Sequence, residues 1–526
     1  MIGSVLLVAL VGLFTYLVYY RIKNNQLYVL AERFEGPPAL PLIGNLHLLL
    51  GKRSEDMFML IQQICNEYKT PVRIWVGPML LLYVTKPADI QRILMSNDCL
   101  DKMYIYKLFG WESGVLSTHA NVWKNHRKLL NPCFAPSILT SFLHIFRNKS
   151  RVLVECLKKK VSSKEEIDIF PFLSACTLDT ICATILDFDV DSQNSKQNVK
   201  FVEALEELFP IINTRIFSVL LHPFCIYKNT NLYRREKKLR EIISQTTDKI
   251  IKAKIQSIEN ERRRKTFARQ TTPVVDHLLL HPNVECSGIK CEKNLVDELL
   301  KIADDDETET YTDDLIREEI EGIIVVGNET TALTASFVIL MLAIHSEVQE
   351  VVHAEIDHLW TAPNMTYLEQ LNEMRYTEMV IKETLRLYPP GPLIVRKCTE
   401  NVPLQSGTAP KGANVIINIF GLHHDSYIWG DDVESFNPDR FSPLNIKYRH
   451  PYCFIPFSGG KRVCLGYKYA MLSMKSMLFE LLRNYRFSTT LTMRDLRPNM
   501  NITLKLGNKH MVKIDKRSFS EKSPAL

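Results

Sequence analysis

The run at residues 457–466, FSGGKRVCLG, constrains the fold most, because it sets one cysteine among glycines just before a long helical pattern. This placement presents a thiolate to a metal at a helix N-terminus, where backbone amides and the helix dipole favour a negatively charged sulfur. Glycines lack a Cβ atom, so the backbone can approach a flat ligand closely. Arg462, two residues before Cys464, can pair with an anionic group of that ligand. A haem fits this combination, with its iron on the Cys464 sulfur and a propionate beside Arg462.

The same run resembles the haem-binding loop of the cytochrome P450 family, F-x-x-G-x-R-x-C-x-G. The alternative, a buried structural cysteine, is the usual interpretation of an isolated cysteine, but it does not account for the surrounding pattern. The resemblance implies a haem b bound through the Cys464 thiolate. Every specified position of the pattern is present: Phe457, Gly460, Arg462, Cys464 and Gly466.

The N-terminus carries the second strong signal. Residues 4–20 are almost wholly apolar and uncharged, and Arg21 and Lys23 follow them. This length is at the short end of what crosses a bilayer, and the positive-inside rule places the body of the protein in the cytoplasm. A cleaved secretory signal would need a basic segment before it and a small-residue cleavage site after it, and neither is present. We therefore predict a signal-anchor transmembrane helix over residues 1–22.

Composition narrows the class of protein. The chain of 526 residues has a formal net charge of +6, which is small for its length and gives no indication of nucleic-acid binding. Its 12 cysteines are scattered without disulfide-like spacing, which is typical of a reduced, cytosol-facing protein. Prolines in the stretch 36–45 fix φ and predict a stiff connector, so we assign residues 23–45 to a hinge.

Helical periodicity dominates most of the remaining chain. A strand-like run lies at 72–76, and residues 271–293 exceed what the P450 pattern needs and suggest an insertion. The resemblance implies a mainly α P450 fold: a large helical domain around the haem, with a small β-rich N-terminal part. We assign it to residues 46–515, followed by a C-terminal tail, 516–526. The predicted helical stretches are about 137–162, 168–187, 198–209, 230–268, 312–345, 346–360, 367–388 and 466–484.

The stretch 327–331, GNETT, places poor helix formers inside the apolar helix predicted over 312–345. One interpretation is simply a weak point in that helix, but such violations often have a functional reason. Gly327 would open space beside the helix for a small ligand. The adjacent acid and alcohol, Glu329 and Thr330, can pass protons to a reacting oxygen.

This stretch also resembles the oxygen-activation motif of P450s, A/G-G-x-D/E-T-T, which implies a catalytic role for Glu329 and Thr330. The first position differs, because Val326 stands there. Many relatives in P450 family 4 have a glutamate at this position that becomes esterified to the haem. Valine has no carboxylate, so we expect a haem held without that covalent link.

Trp123 and Arg127 are four residues apart in a predicted helix and face the same side. An amphipathic surface helix is the alternative. The pair resembles the W-x-x-x-R helix of P450s, which implies that both residues contact a haem propionate. Arg396 lies in a strand-like run after Pro389 and Pro390, and it matches the third propionate arginine of the family. With Arg462, these arginines would satisfy the polar edge of the haem in a closed pocket.

Glu383 and Arg386 are three apart on a predicted helix and can pair. Such pairs are common on surfaces, where they contribute little, but the apolar neighbours here favour burial, which demands further hydrogen bonds. The pair resembles the E-x-x-R helix of P450s, and 436–441, FNPDRF, resembles the segment that follows it. The resemblance implies a structural lock beneath the haem loop, with Arg440 as its third member.

Together these motifs predict a membrane-anchored haem-thiolate monooxygenase of the animal microsomal, family 4-like type. It would hydroxylate a lipophilic small molecule with dioxygen, in the endoplasmic reticulum membrane, as a single-pass protein whose catalytic body faces the cytoplasm. No glycine-rich strand–turn–helix unit for flavin or nicotinamide stands out, so electrons must come from another protein. The family implies NADPH–cytochrome P450 reductase, with cytochrome b5 as a second candidate. Lys461, Lys468 and Lys475 are candidates for a basic docking face, and a solvated helix face is the alternative for the last two.

Two rival functions are a haem-thiolate isomerase or dehydratase that needs no oxygen, and a non-catalytic haem carrier or sensor. Enzymes of the first kind tend to lose the acid–alcohol pair, and a carrier has little use for it. The predicted substrate pocket comprises Tyr104 to Ser117, Leu208 to Tyr227, and the residues before Gly327. These stretches are apolar, so the substrate class is lipophilic: fatty acids, hormones or foreign compounds.

Overall fold

The computed structural model describes residues 2–49, 51–52, 54–161, 165–194, 196–271 and 313–517. Residues 272–293 of the suggested insertion and 518–526 of the predicted tail lie outside the described residues. Helices predominate. In chain order they are α1 Ile2–Lys23, α2 Asn25–Ala31, α3 Ser54–Glu67, α4 Pro87–Met95, α5 Ala120–Leu130, α6 Pro136–Ser141, α7 Leu143–Lys158, α8 Phe170–Ile185, α9 Lys196–Phe217, α10 Phe224–Tyr227, α11 Asn231–Thr271, α12 Asp313–Ile344, α13 Ser346–Thr361, α14 Tyr367–Glu373, α15 Arg375–Leu387, α16 Ile419–His423, α17 Ser426–Trp429, α18 Pro443–Ile446 and α19 Tyr467–Asn484.

The helix α12 forms the axis of the core. From residue 332 to 343 its side chains are buried on all sides, as expected for a helix that is apolar all round. Within the described residues it is the one helix long and apolar enough to cross a membrane, yet 78% of that apolar window is buried inside the fold. It is therefore a core helix. It packs along α8, while α7 packs against α19 on the cysteine side.

Strands form one larger sheet and several small ones. The strands are β1 Val72–Val76, β2 Met79–Val84, β3 Ile167–Asp168, β4 Leu393–Lys397, β5 Val402–Pro403, β6 Thr408–Ala409, β7 Asn414–Asn418, β8 Tyr485–Ser488, β9 Pro498–Asn501, β10 Thr503–Leu506 and β11 Met511–Lys516. The four-stranded sheet has the order β1-β2-β7-β4, in which only β2 and β7 are parallel. A second sheet has the order β3-β11-β8, and β9-β10 and β5-β6 are hairpins.

The predicted strand at 72–76 is β1, but the β structure is not confined to the N-terminal part of the chain. Two strands of the larger sheet, β7 and β4, come from residues after 390. A parallel pair such as β2 and β7 cannot be joined by a tight turn and needs a long crossover. Here most of the helical domain forms that crossover, which is why local sequence patterns did not indicate the composition of this sheet.

Three predicted helical stretches differ in detail from the structure. The stretch 367–388 is two helices, α14 and α15, separated at Met374. The stretch 137–162 is two helices, α6 and α7, separated at Phe142. The stretch 198–209 continues to Phe217 as α9, with Pro210 inside the helix. Residues 208–227 therefore begin in α9, pass through a 3-10 turn at Val219–Leu221 and end in the short helix α10. The N-terminal helix α1 leaves apolar side chains exposed: Val11, Phe14, Tyr16, Val18, Tyr19 and Ile22.

Candidate active site

Cys464 lies between a 3-10 turn, Gly460–Arg462, and the helix α19. Its backbone N–H donates to the Phe457 carbonyl at 2.9 Å, which closes the loop. The sulfur opens onto an internal cavity of about 330 Å³. Burial raises the pKa of the Cys464 thiol, while the backbone N–H of Gly466 and the charge of Arg127 act in the opposite direction. A metal ion on the sulfur would displace the thiol proton outright.

Two glycines of this loop serve different purposes. Gly460 has φ +63, and a Cβ atom there would lie 2.1 Å from the Leu94 carbonyl oxygen, so the protein backbone itself requires glycine. Gly466 has φ −87, and a Cβ atom there would meet nothing within 4 Å. Because Gly466 lines the cavity, its missing side chain leaves room on the ligand side, as a flat macrocycle above the sulfur requires.

Four cations line this cavity, and three of them, Lys102, Arg396 and Arg462, lie near one another. Among the described residues, none of these three forms an ion pair with a carboxylate. In the same part of the chain, Arg462 donates only from Nη2, to the Thr118 carbonyl at 2.9 Å, and its buried Nε and Nη1 atoms have no partner. Arg396 Nη1 donates to the Val395 carbonyl at 3.0 Å, and Nη2 contacts Ser458 Oγ at 3.5 Å.

Burial lowers the pKa values of these three cations, and repulsion between the cations adds to this effect at Lys102 and Arg462. Burial and the charge of Arg396 lower the pKa of Arg462 to about 10, and burial lowers the pKa of Arg396. Burial, followed by the charges of Arg396 and Arg462, lowers the pKa of Lys102 well below its usual value. Buried cations without counter-ions are costly, so this cluster fits an anionic ligand group. A haem fits both features of this cavity. Its propionates can accept hydrogen bonds from the Arg462 nitrogens, and its iron can bind the Cys464 sulfur.

The helix α5 brings Trp123 and Arg127 to the same cavity, as their spacing predicts. Trp123 stacks beneath the Arg462 guanidinium, with 4.6 Å from its carbon to the ring centroid. Arg127 Nη1 donates to the Val463 carbonyl at 2.8 Å, so this arginine also fixes the cysteine loop. Phe457 lines the cavity and packs against Tyr467. All the predicted cofactor-binding residues except Gly460 line this cavity, and Gly460 shapes the loop.

On the α12 side, Val326, Gly327 and Thr330 line the cavity. The Thr330 hydroxyl donates to the Val326 carbonyl one turn earlier, at 2.8 Å. A Cβ atom at Gly327 would lie 2.3 Å from Ile181 Cδ1, so the missing side chain also lets α8 approach α12 closely. Glu329 is buried but is not part of the cavity wall. Its carboxylate binds Lys505 and Thr503 on the C-terminal hairpin instead.

A second, apolar cavity of about 190 Å³ lies beside the first. The strand β4 separates the two: Leu393 and Val395 line the apolar cavity, whereas Ile394 and Arg396 line the cysteine cavity. This alternation follows from the two-residue period of a strand. The predicted pocket stretches divide accordingly. Tyr104, Ile105, Tyr106, Phe109, Ile216 and Phe217 line the apolar cavity, and Trp111, Val115, Leu116, Ile323 and Val326 line the cysteine cavity.

The predicted group of Glu383, Arg386 and Arg440 is present and buried. Glu383 binds Arg386 through two contacts of 2.8 Å, and both side chains are fully buried. Arg440 Nε lies 3.4 Å from Glu383, and its Nη2 binds Asp432 at 2.6 Å. The Asn437 backbone N–H donates to Glu383 as well, at 3.0 Å. The carboxylate thus ties α15 to the segment 436–441.

Of the three candidate docking lysines, Lys475 is placed differently from the sequence prediction. It is buried and donates to Glu378 at 2.6 Å and to the Leu371 carbonyl at 3.1 Å. The face of α19 that carries Lys475 packs against neighbouring helices, so this lysine cannot belong to a docking surface. Lys461 and Lys468 are exposed, and Lys461 contacts Asn97.

Sequence reasoning missed Lys102 and the buried pair of His126 and Glu319. Lys102 follows no motif, and only the folded chain brings it beside Arg396. His126 Nδ1 lies 2.5 Å from Glu319, which links α5 to α12. The spacing of Trp123 and Arg127 places His126 between them, but its acidic partner lies far along the chain.

Comparison with known proteins agrees with this site. The family model described as Cytochrome P450 matches residues 34–513. The chain is 31% identical to Cytochrome P450 4g1 of Drosophila melanogaster, over 98% of this chain and 95% of that protein. It is 32% identical to Cytochrome P450 4c21 of Blattella germanica, over 92% and 94% respectively. Probable cytochrome P450 313a4 of Drosophila melanogaster is 29% identical over 96% of this chain.

Proposed function

The chain belongs to the cytochrome P450 family, and from that premise we propose that it hydroxylates a lipophilic small molecule with electrons that NADPH supplies through a P450 reductase. Membership and the similarity to family 4 proteins make it a haem-thiolate monooxygenase, an oxidoreductase. The observation that carries the finer proposal is the single cavity that brings Cys464, unpaired cations and Thr330 together.

Haem bound through a thiolate supplies the chemistry that activates dioxygen and inserts one of its oxygen atoms into a C–H bond. In this chain Cys464 would hold the iron. Arg462, Arg396 and Arg127 would hold the propionates, with Trp123 supporting the Arg462 guanidinium. Val326 offers the cavity no carboxylate, so the haem would be bound without an ester link to that position.

The proton-handling groups would be Thr330 and Glu329. Thr330 lies in the cavity wall, and its hydroxyl donates to the Val326 carbonyl. The hydroxyl oxygen can accept a hydrogen bond from a group in the cavity, and rotation of the hydroxyl would turn its proton toward a reacting oxygen. Glu329, the next residue along α12, is buried behind that wall. An alcohol facing the site and an acid behind it suit a path that brings protons in while the wall excludes bulk water.

The apolar lining of both cavities supports a lipophilic substrate, of the fatty acid, hormone or foreign-compound classes. The apolar cavity would be the access side. Exposed apolar residues on α1, followed by Arg21 and Lys23, support a signal anchor at residues 1–22 in the endoplasmic reticulum membrane. Residues 23–45 would form the hinge and 46–515 the catalytic domain, facing the cytoplasm. The electron donor would be the membrane reductase, with cytochrome b5 as a second donor.

The test is turnover of the full-length protein in vesicles with P450 reductase and NADPH, against a panel of fatty acids, hormones and foreign compounds. We expect a hydroxylated product of at least one class, and no product with Cys464→Ser, whose carbon monoxide difference spectrum should lose the thiolate band. Binding is measured first, by the substrate-induced shift of the haem spectrum. A normal haem spectrum without product from any class, in the presence of active reductase, would contradict the proposal and favour an oxygen-independent isomerase or a carrier.

A further inference from the structure

Glu329 is 3% exposed and carries a charge partner that no sequence motif indicates. Lys505 Nζ lies 2.7 Å from its Oε1 atom, and the Thr503 hydroxyl donates to the same oxygen at 3.3 Å. Thr503 and Lys505 point in the same direction from the strand β10, as expected for residues two apart. The C-terminal hairpin β9–β10 thus reaches back 174 positions, from Thr503, to hold the acid of the catalytic helix.

Lys505 connects this buried acid to the protein surface. Its side chain is 20% exposed, whereas that of Glu329 is 3% exposed. The ammonium group lies 5.0 Å from the centroid of the Phe170 ring and 6.0 Å from that of Phe209. These rings restrict where the ammonium group can move and stabilise its charge. Lys505 therefore stands between Glu329 and solvent.

Further titratable groups face Lys505 from the elements packed around it. The pKa of Glu206 on α9 is raised, first by burial and also by the charge of Glu329, while the charge of Lys505 acts in the opposite direction. Burial also raises the pKa of Asp168 on β3, which Lys509 and Lys505 lower. Burial lowers the pKa of His510 to about 4, and Lys505 contributes to that shift. The acid of the catalytic helix thus belongs to a cluster that extends to α9 and to the partly exposed hairpin.

We infer that Lys505 is a positioning residue for proton delivery. It holds Glu329 ionised behind the cavity wall. It also marks the solvent end of the proton path, which lies between α9, β3 and the β9–β10 hairpin. The inference rests on the proposed monooxygenase function. Each hydroxylation consumes one dioxygen, two electrons and two protons and yields one hydroxylated product and one water. A proton taken up from solvent needs a carboxylate to receive it, and a buried carboxylate remains ionised only when paired. Release of Glu329 from Lys505 would let it pass that proton toward the adjacent Thr330.

The test compares Lys505→Met with Lys505→Arg in the full-length protein with reductase, NADPH and a substrate that the wild type hydroxylates. We expect Lys505→Met to lower the fraction of NADPH electrons recovered in product about tenfold, with hydrogen peroxide released instead, and to raise the solvent deuterium isotope effect. Lys505→Arg keeps the charge and should recover most of the coupling. The control Lys509→Met removes an exposed neighbouring charge that does not touch Glu329 and should leave coupling unchanged.

A second readout needs no turnover. Infrared difference spectra of the resting protein, with Glu329→Gln to assign the band, should show a protonated Glu329 carboxyl at neutral pH in Lys505→Met but not in the wild type. Unchanged coupling and isotope effect in a folded Lys505→Met protein would overturn the inference and leave a merely structural pair, as would an absent carboxyl band. If Lys505→Met does not fold, Thr503→Val and Lys505→Arg give the same comparison with smaller changes. If the wild type forms no product, the proposed function is refuted rather than this inference. The infrared spectra still test whether Lys505 keeps Glu329 ionised.

Discussion

The fold buries two groups of cations that differ in whether a carboxylate pairs with them. In the group between α15 and the segment 436–441, Arg386 and Arg440 surround the carboxylate of Glu383. At the cavity, Arg462 and Arg396 are buried and form no ion pair with any carboxylate that the structure describes, and two Arg462 nitrogens have no partner among the described residues.

This difference separates a structural site from a ligand site by physical chemistry alone. A buried cation with its counter-ion in the same chain is complete after folding, so it holds the fold together. A buried cation without one leaves the apoprotein with an electrostatic cost that a ligand can remove. Removing a charge should therefore destabilise the protein in the first group and weaken cofactor binding in the second.

The largest expected effect is that of Glu383→Gln, which breaks the complete group. It leaves Arg386 buried without its counter-ion and leaves Arg440 with Asp432 alone, so we expect the free energy of unfolding to fall by about 3–5 kcal/mol. Denaturant unfolding, monitored by circular dichroism, measures it. The matched control is Glu400→Gln, which breaks the exposed pair with Lys411 and should cost no more than about 1 kcal/mol. Equal losses for the two variants would remove the distinction between the sites.

Arg462→Met should separate the two groups most clearly, because its effects on binding and on stability differ in sign. The variant removes an incompletely paired buried cation, so the apoprotein should be unchanged or more stable, by up to about 1–3 kcal/mol. Haem should dissociate about tenfold faster, because a charge-assisted hydrogen bond to a propionate is lost. Transfer of haem to a high-affinity acceptor protein measures the rate. A variant that unfolds as readily as Glu383→Gln would show that Arg462 is structural.

The smallest effect concerns pH. The pKa of Lys102 is lowered in the folded protein, so between that lowered value and about 10.5 the unfolded chain binds a proton that the folded chain does not. The free energy of unfolding of the apoprotein should therefore rise with pH across this window. In Lys102→Met, the free energy of unfolding should lose this contribution to its rise with pH, while the contributions of other groups that titrate at alkaline pH are the same in both proteins. Urea titrations at several pH values test it, and parallel slopes would show that Lys102 carries no burial cost.

Local spacing predicted those parts of the site that lie close together in the sequence. The four-residue separation of Trp123 and Arg127 placed both at the cavity, and the cysteine loop lies before α19 as its glycines indicate. Lys102 was missed because only tertiary contact brings it to Arg396, and Lys505 was missed for the same reason. Lys475 was misjudged because a lysine on a helix suggests solvent, whereas here Glu378 and a backbone carbonyl satisfy it inside the fold.

The fold likewise contains parts that local sequence pattern predicts and parts that depend on distant contacts. Helices with long periodic patterns, such as α12 and α13, were predicted close to their observed bounds. In the larger sheet, the strand β1 and the strand-like run at Arg396, which is β4, were predicted, but the strand pairing was not. The strands β4 and β7 join the N-terminal strands from more than 300 residues away, and local pattern carries no information on that pairing. The placement of Glu329 behind the cavity wall likewise depends on the hairpin that meets it.

The strand β4 presents alternate residues to two compartments, and this has a consequence for how the enzyme can diversify. Under the proposed function, Leu393 and Val395 could change in size or shape without altering what Arg396 would offer to the cofactor, because the backbone of one strand separates the two sets of side chains. Selectivity for the incoming molecule and retention of the prosthetic group would then depend on interleaved positions that can mutate independently. Deletion of a single residue from that strand would exchange the two roles at once.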